Sequence, residues 1–298
     1  MEKMKDNYAA GLKCPICGQP GVRDLFRVAA GRLPRSIREC GPCGAAFLFP
    51  PLSRVERDAL YGKDYFNEFY GRANRKILEA AGLGLMDKLA PLLPAKGRVL
   101  DVGAAWGCYL AAFRSRGWET EGVEMSAHAR AAALEVYDFR LQESLLSAPY
   151  VDGSFDLVLM SQFLEHVPDP LEHLGRAYDL LKTGGVLYIS VPNFGSPRAR
   201  ALKQDWPELR PGEHLFFYTR RSLGFIVKRA GLRVLRLETP RAVVTREGCA
   251  ALIGGAGAGA LSAAINRYAP WLKDIVRRLA GACREGEGLE LVAVKGSR

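Results

Sequence analysis

From Arg98 onward, short apolar runs recur with helical stretches between them: "RVLDVG", "ETEGVEM", "FDLVLMS" and "GVLYISVP" read as strands by composition and length. Parallel strands cannot be joined by tight hairpins, so this alternation demands crossover helices and an α/β sheet covered on both faces. Helix signals fall where that scheme needs them. Asp169, Pro170 and Glu172 supply an N-cap, a first-turn proline and a capping-box carboxylate, and Gly184 with Gly185 reads as the stop of that helix. Ser126 can cap "AHARAAALEVY". Further on come the short apolar piece "EHLFFYT", a helix from about Thr219 to Gly231, another strand, and a final strand "GLELVAVK".

The first of these strands breaks at Gly103 and a helix starts after Gly107, so free N–H groups and the positive helix end face whatever lies above the turn. The G-x-G-x-x-G dinucleotide fingerprint is absent. About twenty residues on, Glu124 ends the next strand, where in doubly wound sheets an acid accepts both hydroxyls of a ribose. Asp101 adds a carboxylate beside the turn, which would repel a pyrophosphate and suits a ligand carrying positive charge. The pattern points to an adenosine-containing ligand.

Taken together and in order, "VLDVGAAWG", "GVEMS", "SFDLVLMSQFLEHVPDP" and "KTGGVLYISVPN" resemble the successive motifs of the class I S-adenosylmethionine-dependent methyltransferases, across roughly Arg98 to Leu237. The resemblance implies a doubly wound, seven-stranded, mostly parallel Rossmann-like sheet with the last strand antiparallel. It also implies that Asp101, Gly103 and Gly107 surround the methionine end of the cofactor, Glu124 takes the ribose, Met125 packs on the adenine, Ser144 and Leu145 sit at the adenine edge, and Gln162 joins the cofactor site. The chain departs from the usual D-x-G-x-G-x-G at Ala104 and Ala105; the methyl of Ala105 falls near the methionine moiety.

Ahead of this domain, "CPICGQPGVRDLFRVAAGRLPRSIRECGPCGAAFLFPP" is too rich in glycine and proline to build its own core and needs a staple. Two C-x-x-C knuckles, Cys14/Cys17 and Cys40/Cys43, supply four thiolates suited to a closed tetrahedral Zn2+ site of structural role; rubredoxin-like iron is the main rival and a redox dithiol the next. The expected organisation is a zinc ribbon over 1–50, a helical connector over 51–97 whose Tyr65 and Phe66 could fold over the cofactor, and a methyltransferase domain over 98–298. A helical insertion at about 240–287 precedes the last strand. Within it, 249–281 combines Gly/Ala-rich sequence with an amphipathic "YAPWLKDIVRRLAG", which fits a sheet-covering helix, a lid, a homodimer helix or peripheral membrane contact.

The amino terminus has no apolar h-region, and the use of seven cysteines as two knuckles plus three solitary residues fits a reducing compartment; both readings point to the cytoplasm. A formal charge of +10 suits anionic partners but decides nothing by itself, and without basic–aromatic interleaving nucleic acid is disfavoured. Exocyclic base methylation is disfavoured too, because "SQFLEH" stands where an Asn/Asp-Pro-Pro-Tyr motif would be. His166 and His214 are the candidate bases for removing a proton from an acceptor. The leading expectation is methyl transfer to oxygen or carbon of a small-molecule or nucleotide-sugar-like acceptor. An RNA methyltransferase and a non-catalytic cofactor-binding module are the alternatives.

Overall fold

The computed structural model describes residues 12–31, 33–58, 72–240 and 286–296. Tyr65, Phe66 and nearly all of the 240–287 insertion, including the segment 249–281, lie outside the described residues. Two sheets organise the rest.

The larger sheet has six strands among the described residues: β4 (Arg98–Val102), β5 (Glu119–Val123), β6 (Phe155–Ser161), β7 (Leu181–Pro192), β9 (Leu232–Glu238) and β10 (Gly288–Lys295), in the order β5-β4-β6-β7-β10-β9. The first four run parallel, and β10 is antiparallel to both β7 and β9. The final strand therefore has the expected direction, but the expected count of seven is reduced. After β5, the chain returns to the sheet edge only as a single bridge, Val123 to Gln142, held by Glu124 N–H to Gln142 O and Gln142 N–H to Gly122 O, both 2.9 Å. Ser144 then accepts from Ala148 N–H and turns the chain away before a strand can extend.

Leu100, Val158, Met160, Leu187 and Ile189 fill one face of the sheet, and Val99, Leu157, Leu159 and Tyr188 the other, which is why these strands read as almost unbroken apolar runs. The helix Pro170–Leu180 begins as expected, with the Asp169 side chain accepting from Glu172 N–H, and Ser126 accepts from Ala129 N–H at the start of Ala127–Tyr137. The helix ends at Leu180 instead of at the glycines. Gly184 and Gly185 fall inside β7, in the irregular stretch between its Leu181 and Val186 pairings with β6.

The second sheet is antiparallel, with order β1-β2-β3-β8: β1 (Val22–Ala29), β2 (Pro34–Cys40), β3 (Ala46–Phe49) and β8 (Phe216–Phe217). Its last strand comes from far along the chain. Leu48 N–H donates to Leu215 O at 2.9 Å, Thr219 Oγ1 donates to Gly44 O at 3.3 Å, and Arg229 donates to Ile16 O at 2.5 Å. One hydrophobic core runs from Ile16 and Ile37 through Leu48 and Phe217 to Leu187 and Leu289. Arg35 is buried beneath the small sheet and grips Glu56 with two bonds of 3.0 and 2.9 Å. Glu56 also receives Ser53 N–H at 2.9 Å, and this pair starts the helix Arg54–Asp58.

Candidate functional site

Strands β4 and β6 are neighbours, yet the chain leaves β4 toward β5 on one side and β6 toward β7 on the other. Their following loops diverge and open a crevice at the carboxyl ends of the strands. A cavity of about 710 Å3 lies there, walled by Gly103 and Ala105 after β4, by 123–128 after β5, by Ser144 and Leu145, and by Gln162, Phe163 and His166 after β6. Arg54 and Arg57 reach it from the helix below the small sheet. A smaller cavity of about 140 Å3, lined by Asp101, Cys108 and Tyr109, shares Gly103 and Gln162 with it.

The turn after β4 is fixed from two sides. Gly103 adopts φ +82°, and a Cβ there would stand 2.8 Å from the Phe163 ring, so glycine alone fits. The N–H groups of Gly103 and Ala104 both bond to Val123 O, at 2.8 and 3.0 Å. Across the crevice, Glu124 accepts from Ala105 N–H at 3.0 Å through one carboxylate oxygen and from Ser126 N–H at 2.8 Å through the other. Ala105 itself has φ +48°, a conformation costing an alanine about 1–2 kcal/mol. Ala105→Gly is therefore expected to raise the melting temperature by about 2 °C, read by calorimetry.

Gly103, Glu124, Met125, Ser144, Leu145 and Gln162 are thus brought together around one cavity, with Asp101 in the adjoining one. Gly107 stands apart among the expected cofactor residues. At φ +84° it starts the helix Cys108–Ser115 and packs against Phe139, which leaves no room for a Cβ. Of the two expected bases, His166 lines the larger cavity and His214 lies buried behind it, their rings meeting edge to face at 4.8 Å. Arg54, Arg57 and Glu165 escaped sequence reasoning. The Ser53-x-x-Glu56 capping signature would have located the helix that carries the two arginines.

Electrostatics favour a cationic guest. Burial, and then the charge of Glu124, push the Asp101 carboxyl up to about 7, and burial raises Glu124 against the opposing pull of its two backbone hydrogen bonds. A positive group bound beside Asp101 stabilises its ionised form. Below pH 7 a proton must then leave as the ligand arrives. Affinity for S-adenosylmethionine is expected to fall by up to about tenfold per pH unit below 7 and to level off above it, with Asp101→Asn flattening the profile in calorimetric titrations.

A methyltransferase-domain family model matches residues 70–237, which include the strand ends that wall both cavities. The chain belongs to the class I S-adenosylmethionine-dependent methyltransferases. It is 34% identical over 137 residues to a ubiquinone biosynthesis O-methyltransferase of Xanthomonas campestris, covering 43% of this chain and 56% of that protein. The protein of the same name from Pseudomonas aeruginosa is 32% identical over 151 residues, covering 46% and 65%. The chain thus spans about half the length of the curated relatives it matches. Among solved structures, a SAM-dependent methyltransferase from Archaeoglobus fulgidus superposes with a TM-score of 0.54 at 19% identity, covering 78% of this chain and all of that one. A chain from the complex of the Haloferax volcanii Trm112 methyltransferase activator with a methyltransferase gives 0.53 at 18%, covering 78% and 98%.

The methyltransferase carries its second constellation at the small sheet. The knuckles are near copies: Gly18 N–H bonds to Cys14 O and Gly44 N–H to Cys40 O, both at 2.8 Å, and both glycines take φ +72°. These turns bring all four sulfurs within 4.8 Å of one another, with Cys14 and Cys43 at 3.7 Å and Cys17 and Cys40 at 3.5 Å. Zinc–sulfur bonds of about 2.3 Å in a tetrahedron place sulfurs roughly 3.8 Å apart, so the thiols fit the ion.

Proposed function

We propose that this methyltransferase moves a methyl group from S-adenosylmethionine to an oxygen of a small-molecule acceptor. The carrying observation is the pair of buried carboxylates, Asp101 and Glu124, flanking a strained turn at one end of a cavity whose other wall holds His166. In this reading, Glu124 holds the ribose hydroxyls and Asp101 faces the positively charged amino-acid end. Met125, half exposed to the cavity, covers the adenine beside Ser144 and Leu145. Gln162 stands at the junction of the two cavities, where the methyl would be presented.

The cofactor supplies an activated methyl on a sulfonium, so the protein's share is to align the acceptor and manage its proton. We assign proton management to the corner formed by His166 and His214. Arg54 and Arg57 suit an acceptor with an anionic group, and a nucleotide-linked sugar meets both requirements. Choosing oxygen over carbon leans on the name carried by the Xanthomonas and Pseudomonas relatives. We further propose that the four cysteines hold one structural Zn2+ and that the protein works in the cytoplasm. Among the described residues, no helix is long and apolar enough to cross a membrane.

The test is to supply methyl-labelled cofactor with separated pools of hydroxylated small molecules, nucleotide sugars, lipids and RNA. Label entering a small-molecule pool, with S-adenosylhomocysteine formed only when acceptor is present, supports the proposal. Label entering RNA, or cofactor binding without turnover in every pool, overturns it.

A further inference from the structure

Two residues without a glycine's freedom are held at positive φ in the walls of the larger cavity: Ala105 at +48° and Gln162 at +51°. Strain of this kind, about 1–3 kcal/mol, persists only where the surroundings enforce it, and at Gln162 the enforcement is visible. Gln162 directly follows Ser161, the last residue of β6, which pairs with Ser190 of β7. The Gln162 backbone N–H donates to Ser190 O at 2.8 Å, and its Nε2 donates to Ser190 Oγ at 3.4 Å. Ser161 Oγ stands 2.9 Å from that same Ser190 Oγ. On the other side, the ring of the next residue, Phe163, is wedged against Gly103. One serine thus takes both the backbone and the amide nitrogen of Gln162. An amide whose nitrogen is committed keeps its oxygen as a free acceptor, and among the described residues nothing donates to Gln162 Oε1.

Gln162 is exposed and lines both cavities, so that oxygen serves the passage between them. The oxygen-bearing side chains in the wall of the smaller cavity are Asp101, Tyr109, Ser161 and Gln162, and among the described residues lining it there is no basic side chain. The passage therefore offers acceptors, and a positive charge suits it. We infer that Gln162, aimed by Ser190, recognises the positive charge of the sulfonium, so that the protein holds S-adenosylmethionine more tightly than the neutral product, S-adenosylhomocysteine. This rests on the reading that presents the methyl at the junction of the two cavities. The two ligands share the adenosine and the amino-acid end and differ by one methyl and one charge, so contacts elsewhere in the site cancel from the ratio of their affinities. The amide oxygen attracts the sulfonium in a cavity partly closed to water, and a neutral thioether gains nothing from it. The consequence is weak product inhibition: the spent cofactor leaves and the charged donor replaces it.

Calorimetric titrations of the full chain with S-adenosylmethionine and with S-adenosylhomocysteine read that ratio, at about pH 8, where Asp101 is ionised. The wild type is expected to favour S-adenosylmethionine by about tenfold, the size of one contact between a charged group and a hydrogen-bonding partner. Gln162→Leu should weaken S-adenosylmethionine by about that factor and change S-adenosylhomocysteine by less than about twofold. Gln162→Glu, which places a full negative charge at the passage, should widen the preference. Ser190→Ala frees the carboxamide to turn and should shrink the preference by about threefold. A merely structural role for either residue moves both affinities together and leaves the ratio alone. Where Gln162→Leu fails to fold, the wild-type ratio and Gln162→Glu still decide. Equal binding of the two ligands by the wild type, or a ratio unmoved in the folded Gln162 variants, would overturn the inference and leave the cofactor site standing. Failure of both ligands to bind would overturn the placement of the cofactor and the inference with it.

Discussion

Replacing Cys40 with Ser is expected to abolish the order of residues 14–49 while leaving the six-stranded sheet folded. The segment has too few apolar side chains to hold a sheet without a staple, and a four-thiolate zinc site contributes on the order of 10 kcal/mol of apparent binding free energy. Serine supplies neither the thiolate nor the bond length. The damage should follow the hydrogen bonds outward. Since β3 pairs with β8, and Gly44 O receives the Thr219 hydroxyl, protection from hydrogen exchange should fall at 215–219 as well as in β1–β3. Protection in β4, β6, β7 and β10 should persist, and S-adenosylmethionine affinity should stay within about threefold. Metal analysis of the wild type should give about one zinc per chain. If Cys40→Ser lost cofactor binding along with the small sheet, the two sheets would be a single cooperative unit.

Glu124→Ala is expected to weaken S-adenosylmethionine binding by at least 100-fold in calorimetric titrations. The substitution removes the proposed ribose acceptor and also strands two buried donors, Ala105 N–H and Ser126 N–H, that the carboxylate now satisfies. Each stranded donor costs about 1–3 kcal/mol. Because Ala105 already sits at φ +48°, the turn should then relax away from its bound shape. Glu124→Gln separates the two effects: an amide presents one oxygen and one NH2, so one of the two backbone N–H groups must face a donor. It should lose about tenfold and be rescued in part by Ala105→Gly. Equal affinities for Glu124→Ala and wild type would remove the carboxylate from the site.

Much of the large sheet was legible because local signals and tertiary demand agree there. "GLELVAVK" is β10 residue for residue, "FDLVLMS" is β6, and Asp169 and Ser126 cap where side-chain chemistry required. The misreadings came where one signal had two outlets. Gly184 and Gly185 can stop a helix or relieve a strand irregularity, and the sheet took them for the second purpose. Among the described residues "FRLQES" makes only the single Gln142 bridge, since Ser144 turns the chain away from the sheet edge before the pairing can extend. Non-local events were out of reach. Nothing in "EHLFFYT" announces that Phe216 and Phe217 pair with Phe47 and Ala46, and that pairing is what carries His214 to His166. Glu165 carries no signal of its own in the sequence, since a carboxylate beside a histidine reads as solvated until its burial is known.

The β3–β8 ladder makes the two halves of the cavity answer to different masters. The proposed cofactor end is built from loops on the parallel sheet, whereas the opposite wall draws Arg54 and Arg57 from one stretch of chain and, through His214, leans on another that the small sheet pairs with through β8. On the proposed function, selectivity for the acceptor would travel as a matched pair of segments, 12–58 and 207–219. A chimera that transplants the first without the second should keep its grip on the methyl donor and lose the ability to choose what receives the methyl.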